Sequence, residues 1–318
     1  MIILSAALDI MLGAQMKNRL ERIRKELNDF YCKESFFDDR VPQGILYKSC
    51  KCAVNCWNGI SSEVRKTSAW NYFSLPYIGD NYSGELVCVG LNVNEGGGRN
   101  LQEIQIKGYD KNKPLHKNDK FAYKYKPGVI ESLRKGNKNV SFREGMKLAV
   151  EKKDLEKIYG GTLFWHRIAV YSKILLDGYD NNVMNNSSEL AKIFERIIYM
   201  DAIKCSPANK RSEPTEKMKR LCPTYILVKE LEIIKPNNIL IMSRPTARIV
   251  REIYHCVGGS VDFPGLNKDF DFYQIDINGK KINVFYIIHI GERGKGKSGT
   301  RMELFKEFGD FISESKEK

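Results

Sequence analysis

The sequence predicts an α/β fold with a mainly parallel, four-stranded central sheet. Four short runs of apolar and β-branched residues have the length and composition of buried strands. Stretches with the spacing of amphipathic helices separate these runs, and strands that alternate with helices are typical of a parallel sheet. The predicted strands are residues 86–89, 197–203, 239–242 and 282–288.

The predicted helices alternate with these strands along the chain. Those indicated by apolar spacing are residues 16–30, 164–176, 188–195, 246–254 and 301–313. A further helix is expected to begin at Pro214. Pro223 should break or kink it, because proline lacks the N–H that the helical ladder needs.

Composition points to a globular protein with a polyanionic partner. The 318 residues are 42% hydrophobic, and basic minus acidic residues is 52 − 39 = +13. Such a charge favours nucleic acid as partner, although a generally lysine-rich proteome is the alternative. No run approaches the roughly 20 apolar residues that span a bilayer. The apolar start, residues 1–13, lacks a basic leader and a cleavage site. We therefore expect an intracellular, cytoplasmic protein.

The chain is predicted to have two parts. Residues 1–60 are interpreted as an N-terminal helical extension that ends in a cysteine cluster, and residues 61–318 as the α/β domain. Within that domain, residues 102–160 are polar and lysine-rich, which indicates an insertion. Its lysines suit either a solvated surface or contact with a DNA backbone.

Polar residues stand at or just past the ends of the predicted strands. They are Asn92, Asp201, Ser243 and His289. In open α/β sheets, ligands bind beyond the carboxyl ends of the strands, so this edge is the predicted site. Structural roles remain open, since such residues also cap turns and loops.

Three motifs at these strand ends resemble the uracil-DNA glycosylase superfamily. They are GLNVNEGGGRN (90–100), YMDAIKCSPANKRSEP (199–214) and IIHIGERGKGKSG (287–299). Their order is that of the family, and the resemblance covers about residues 84–310. It implies a three-layer α/β/α glycosylase-like domain that flips a base out of DNA.

The resemblance also implies roles for individual residues. Asn92 matches the asparagine that positions the attacking water, although Val93 and Asn94 replace the usual proline and glycine. His289 matches the histidine that stabilises negative charge on the departing base. The following glycine-rich loop corresponds to the family's minor-groove wedge. Its basic residues, suited to phosphate contact, are Arg293, Lys295 and Lys297.

Five of the eight cysteines are candidate metal ligands, namely Cys50, Cys52, Cys56, Cys205 and Cys222. Cys205 and Cys222 resemble paired ligands of the iron–sulfur branches, and the N-terminal cluster would supply the others. Four thiolates suit a [4Fe–4S] cluster, with zinc as the competing interpretation, and either centre would be structural. Cys88 and Cys256 lie in apolar runs and are predicted to fill the core.

Asp201 stands where iron–sulfur relatives carry an asparagine that reads the flipped base. An amide matches O4 and N3–H of uracil, whereas an ionised carboxylate offers only acceptors. A carboxylate therefore suits the exocyclic amine of a cytosine, with one proton shared between the carboxyl and N3. Tyr159 is the predicted aromatic that stacks on the base.

These features predict a monofunctional DNA glycosylase acting on a modified cytosine, such as glucosylated hydroxymethylcytosine of phage DNA, and leaving an abasic site. Two alternatives stay open: a uracil-DNA glycosylase of base excision repair, and a catalytically inactive nucleic-acid-binding module. DNA is the expected partner, and we expect a monomer without a small-molecule cofactor beyond the metal centre.

Overall fold

The chain forms helices and a mixed sheet of six strands, with a separate two-stranded ribbon, in a computed structural model. The residues it describes are 2–33, 76–92, 101–102, 124–125, 160–180, 189–190, 192–204, 214–256, 269–287 and 301–316. This arrangement is of the α/β class that the sequence predicts.

The strands divide between a large sheet and the ribbon. In chain order they are β1 (Tyr77–Ile78), β2 (Leu86–Asn92), β3 (Leu101–Gln102), β4 (Lys124–Tyr125), β5 (Ile197–Ile203), β6 (Asn238–Ile241), β7 (Phe270–Ile277) and β8 (Lys280–Ile287). The large sheet has the order β1–β5–β2–β6–β8–β7, and β3 pairs with β4. Its four central strands, which correspond to the predicted ones, are parallel neighbours.

The prediction of a mainly parallel sheet of four strands is wrong, because the sheet in the described part of the chain has six strands and is mixed. Both edge strands, β1 and β7, pair antiparallel with their neighbours. Strand β1 has two residues, which is too short for a periodic signal. The hairpin of β7 and β8 turns at Asn278 and Gly279, whose φ angles of 53° and 79° suit a two-residue turn. Asn-Gly is a recognised hairpin signal that the prediction overlooked.

The helices follow the predicted order with different ends. They are α1 (Ile2–Lys33), α2 (Gly160–Asp177), α3 (Glu216–Cys222), α4 (Val228–Ile234), α5 (Arg244–Cys256) and α6 (Arg301–Lys316). A short 3₁₀ helix, Lys192–Glu195, occupies part of the predicted 188–195 segment. A π-helical turn, Pro223–Leu227, joins α3 to α4, so the expected departure from α-helical geometry begins at the proline.

Helix α1 packs onto the same core as the sheet. Three of its apolar residues, spaced three and four apart, are buried there: Leu20, Ile23 and Leu27. The Arg19 guanidinium donates to the backbone carbonyls of Ser83 at 3.1 Å and Lys235 at 3.0 Å. These contacts hold α1 against the loop before β2 and the end of α4. The predicted domain boundary at residue 60 lies outside the described residues.

Strands β2 and β5 are covered on both faces. Every residue of β5 is buried, as are residues 86–89 of β2, which is the pattern of strands enclosed on two sides. Cys88 is 2% exposed, as predicted for a core residue, and its Sγ lies 3.3 Å from Ser172 Oγ of α2. Burial raises the pKa of the Cys88 thiol to about 12, more than this hydrogen bond lowers it. Cys256 ends α5, and its side chain lies outside the described residues.

Within the described part of the chain, none of the helices combines the length and the apolar character needed to cross a membrane.

An ion pair joins the end of α2 to the start of β5. The Asp177 carboxylate accepts from Arg196 at 2.7 Å and from Lys173 at 2.5 Å. Partial burial raises the pKa of Asp177, but hydrogen bonds from these two cations outweigh it and hold that pKa below its usual value. A carboxyl with a depressed pKa stabilises the fold above its unfolded-state pKa. That contribution is lost as the pH falls through the folded-state pKa.

We expect Asp177→Asn to lower the free energy of unfolding by about 0.5–1 kcal/mol at pH 7, because the pair is partly solvent-screened. The difference from wild type should shrink below about pH 4, where the unfolded state begins to bind the proton, and should vanish once the folded state binds it as well. Urea unfolding at pH 7 and pH 3 measures this. Glu189→Gln, which removes the more exposed pair with Lys192, is the control. An equal loss at both pH values would contradict the electrostatic explanation.

Candidate functional site

Asp201 lies in the sheet, two residues before the carboxyl end of β5. Its side chain is 3% exposed, and its Oδ1 accepts a hydrogen bond from the Tyr199 hydroxyl at 2.8 Å. The two side chains share a face because residues two apart in a strand point the same way. Directly opposite Asp201, on the neighbouring strand β2, is Gly90. The carboxyl therefore lies beside the end of the strand that carries Asn92.

Gly90 provides the space that this pair occupies. A β-carbon built at Gly90 would lie 2.3 Å from the Tyr199 hydroxyl oxygen and 2.7 Å from Asp201 Oδ1. Both separations are shorter than van der Waals contact allows, so a larger residue would displace the hydroxyl or the carboxyl. Because Gly90 has no side chain, the hydroxyl–carboxyl pair of β5 can extend over the neighbouring strand β2.

The parallel register brings the first motif and β5 to one edge of the sheet. Asn92 is the last residue of β2, and its backbone lies opposite Ile203, the last residue of β5. Val89 of β2 and Tyr286 of β8 belong to one row across the sheet, each beside Ile241 of β6. Asn92 follows Val89 by three residues, and in the sequence His289 follows Tyr286 by three.

Ser243 has a structural role. Its Oγ accepts a hydrogen bond from the Thr246 backbone N–H at 3.3 Å and lies 2.7 Å from Thr246 Oγ1. This is the geometry of an N-cap, and α5 begins at the next residue. Of the strand-end residues predicted to form the site, Ser243 is thus explained by the helix it caps.

Cys222 is the candidate metal ligand that the structure describes. It is 2% exposed, and its Sγ accepts a hydrogen bond from the backbone N–H of Lys204 at 3.3 Å. Lys204 directly precedes Cys205, so Cys222 lies close to the chain entering another predicted ligand. Metal-bound thiolates commonly accept such hydrogen bonds, and this environment fits a ligand of a cluster or of zinc. Among the residues described here, no three His, Cys, Asp or Glu side chains form a metal-binding group.

A buried ion pair lies beside Cys222. Lys204 Nζ is 2.6 Å from Glu230 Oε2 of α4, and both side chains are fully buried. Removing two charges from water is costly, so each of these buried ions depends on the opposite charge of the other. The pair joins Lys204, the residue after β5, to helix α4. It therefore supports the strand end that follows Asp201.

Nine of the predicted site residues lie outside the described residues: Cys50, Cys52, Cys56, Tyr159, Cys205, His289, Arg293, Lys295 and Lys297. Their predicted roles in base release, stacking, DNA contact and metal binding stay predictions.

Sequence reasoning missed three features of this site. Tyr199 could have been found, because it stands two residues before Asp201 in a predicted strand and must share its face. The space at Gly90 depends on register, and the Lys204–Glu230 pair joins residues 26 positions apart. Neither of these has a local signal in the sequence.

The comparisons with family models and curated proteins assign the chain to no family. A scan of the chain against protein-family models finds no model that matches, and a search of the curated proteins finds no matching sequence.

Proposed function

We propose that the protein is a monofunctional DNA glycosylase of the uracil-DNA glycosylase type that releases a modified cytosine. The observation that carries the proposal is the buried Asp201 carboxyl, held by the Tyr199 hydroxyl beside the end of the strand that carries Asn92. A buried carboxyl at the carboxyl edge of parallel strands lies where open α/β sheets bind their ligands. The net charge of +13 suits a DNA partner.

In the proposed reaction, the target base leaves the duplex because its glycosidic bond is inaccessible within the stack. The Asp201 carboxyl accepts from the exocyclic amine of the base and shares one proton with N3. Breaking the bond leaves an oxocarbenium-like sugar and an anionic base, and His289 stabilises that negative charge. Water positioned by Asn92 adds its oxygen to the sugar carbon while one of its protons passes to the anionic base, which leaves an abasic site and the free neutral base.

The remaining residues have supporting roles in the proposal. Tyr159 stacks on the extruded base, and the basic loop that carries Arg293 contacts phosphates of the distorted DNA. Cys205 and Cys222, with cysteines of the N-terminal cluster, would hold a [4Fe–4S] cluster or zinc. That group would supply a structural link between the segment after β5 and the N-terminal part of the chain.

Base release from three DNA substrates tests the function. The purified protein is incubated with uracil-containing DNA, unmodified DNA and DNA containing glucosylated hydroxymethylcytosine, and abasic sites are then cleaved with alkali. We expect strand breaks in the modified-cytosine DNA alone. Breaks in uracil DNA alone would indicate a repair enzyme and remove the role of the carboxyl. Binding without breaks in any substrate would indicate a nucleic-acid-binding module.

Substitution of the two proposed catalytic residues should abolish most of the activity. We expect His289→Ala to lower the single-turnover rate by about 10²–10³-fold, the range found when a donor that stabilises developing charge is removed. We expect Asn92→Ala, which no longer positions the attacking water, to lower it by about 10²-fold. DNA affinity, measured separately by anisotropy, should stay near the wild-type value. The exposed Lys281→Ala is a control that should keep the full rate. Retained activity in either site variant would remove that residue from the mechanism.

A further inference from the structure

We infer that Tyr199 is a specificity-determining residue, which holds Asp201 Oδ1 as a hydrogen-bond acceptor and so excludes uracil from the site. The inference rests on the proposed function and extends it to the choice of base. Its basis is the geometry of one strand: the Tyr199 hydroxyl donates to Asp201 Oδ1 at 2.8 Å, and both groups are at least nine-tenths buried.

The Tyr199 hydroxyl affects the two oxygens of the Asp201 carboxyl differently. A phenol O–H that donates to Oδ1 competes with a proton on that same oxygen. A carboxylate oxygen has two acceptor directions, so Oδ1 can receive the tyrosine and the amine of a base at once. Any proton that the carboxyl carries is then favoured on Oδ2. The two oxygens of Asp201 thereby become chemically different.

This difference separates cytosine from uracil. Against a cytosine, the oxygen facing the exocyclic group must accept from the N4 amine, and the other oxygen shares a proton with N3. Against uracil, the first oxygen would have to donate to O4, and the second would have to accept from N3–H. The inference assigns Oδ1 to the exocyclic group of the base, and in that orientation Tyr199 supports the first arrangement and opposes the second. A buried site that leaves a polar group unpaired rejects the wrong ligand strongly.

Gly90 is also part of the proposed basis of specificity. The tyrosine hydroxyl and the carboxyl meet in the space over Gly90, which a β-carbon would enter at 2.3 Å and 2.7 Å from their oxygens. A methyl group there must move one or both of them. Gly90→Ala therefore disturbs the hydrogen bond while keeping both polar groups in the chain.

The test measures excision rates of Tyr199→Phe on modified-cytosine DNA and on uracil DNA. Removing the hydroxyl lets Oδ1 carry the proton, so we expect the preference for cytosine over uracil to fall by about 10–100-fold, with uracil excision rising in absolute rate. Because pairing with the base needs the proton that the carboxyl shares with N3, the alkaline limb of the pH–rate profile on modified cytosine should move to higher pH. Gly90→Ala should lower the preference in the same direction.

Tyr77→Phe is the matched control. Tyr77 lies opposite Tyr199 in the adjacent strand β1, and its hydroxyl donates at 2.9 Å to the backbone carbonyl of Phe194. The substitution removes a hydroxyl that donates to Phe194 rather than to Asp201, so the base preference of this variant should equal that of wild type. Circular dichroism and thermal unfolding confirm that each variant is folded.

The outcomes separate the two proposals. If wild type releases modified cytosine and Tyr199→Phe keeps its preference and its pH profile, the inference is wrong while the proposed function stands. If Tyr77→Phe loses preference equally, the effect is one of strand packing and the inference is again wrong. If wild type releases no base, the proposed function fails and the inference fails with it.

Discussion

If the protein is the proposed glycosylase, Asp201→Asn is expected to reverse its base preference. An amide offers one donor and one acceptor, which match O4 and N3–H of uracil, and it cannot share a proton with cytosine N3. The carboxyl is 3% exposed, so a mismatched partner would stay unpaired away from water. We expect the ratio of modified-cytosine to uracil excision to change by about 10⁴-fold, the discrimination that buried polar sites reach.

Single-turnover rates on the two DNA substrates measure this ratio. Asp271→Asn is the matched control, because Asp271 is also a buried aspartate of the sheet, 5% exposed, with its Oδ1 accepting from the Phe272 backbone N–H at 2.9 Å. It lies on β7, away from β5 and β2. The control should keep the wild-type ratio. A wild-type ratio in Asp201→Asn itself would show that the carboxyl does not face the base.

Breaking the buried Lys204–Glu230 pair is expected to cost the most stability. Glu230→Leu leaves the Lys204 ammonium fully buried without its partner, and Lys204→Met does the same to the carboxylate. Each single substitution should lower the free energy of unfolding by about 3–5 kcal/mol. The double variant, which replaces both charges with apolar side chains, should lie within about 1 kcal/mol of wild type.

Urea unfolding of the two single variants and the double variant forms the cycle that measures the pair. The neighbouring pair of Lys229 and Glu232 on the same helix is the control, since its atoms are 3.0 Å apart but its side chains are 51% and 28% exposed. Lys229→Met should change the free energy of unfolding by no more than about 0.5 kcal/mol. If the free energy of unfolding of the double variant falls by the sum of the decreases in the two single variants, the pair does not act as a unit.

Much of the sheet was predictable because buried parallel strands have a local signature. Each of the four central strands is a short, nearly continuous apolar run, as is typical of strands that are buried on both faces. The two edge strands were not predicted, for different reasons. Strand β7 is buried on one face only, and its alternating pattern from Phe270 was not connected to the Asn278–Gly279 turn. Strand β1 has two residues, so its pairing with β5 defines it and its own sequence carries no periodic pattern.

The sequence predicts Asp201 and Asn92 as site residues near the ends of two strands, and the structure shows how those strands are arranged. Their strands prove to be neighbours, with Asp201 opposite Gly90. Ser243 has the same position by sequence, yet its hydroxyl caps α5, because the helix begins one residue later. A strand-end polar residue therefore indicates a location, and its hydrogen bonds decide its role.

The amino-acid sequence alone determined the α/β class, the four central strands and the order of the polar residues at their ends. These follow from side-chain polarity and backbone propensity, which act over a few neighbouring residues. The tertiary structure decided that the Tyr199 hydroxyl holds the Asp201 carboxyl over Gly90, and that Lys204 is neutralised by Glu230. Such contacts depend on strand register and helix docking, which join residues far apart in the chain and are set by the packing of the whole core.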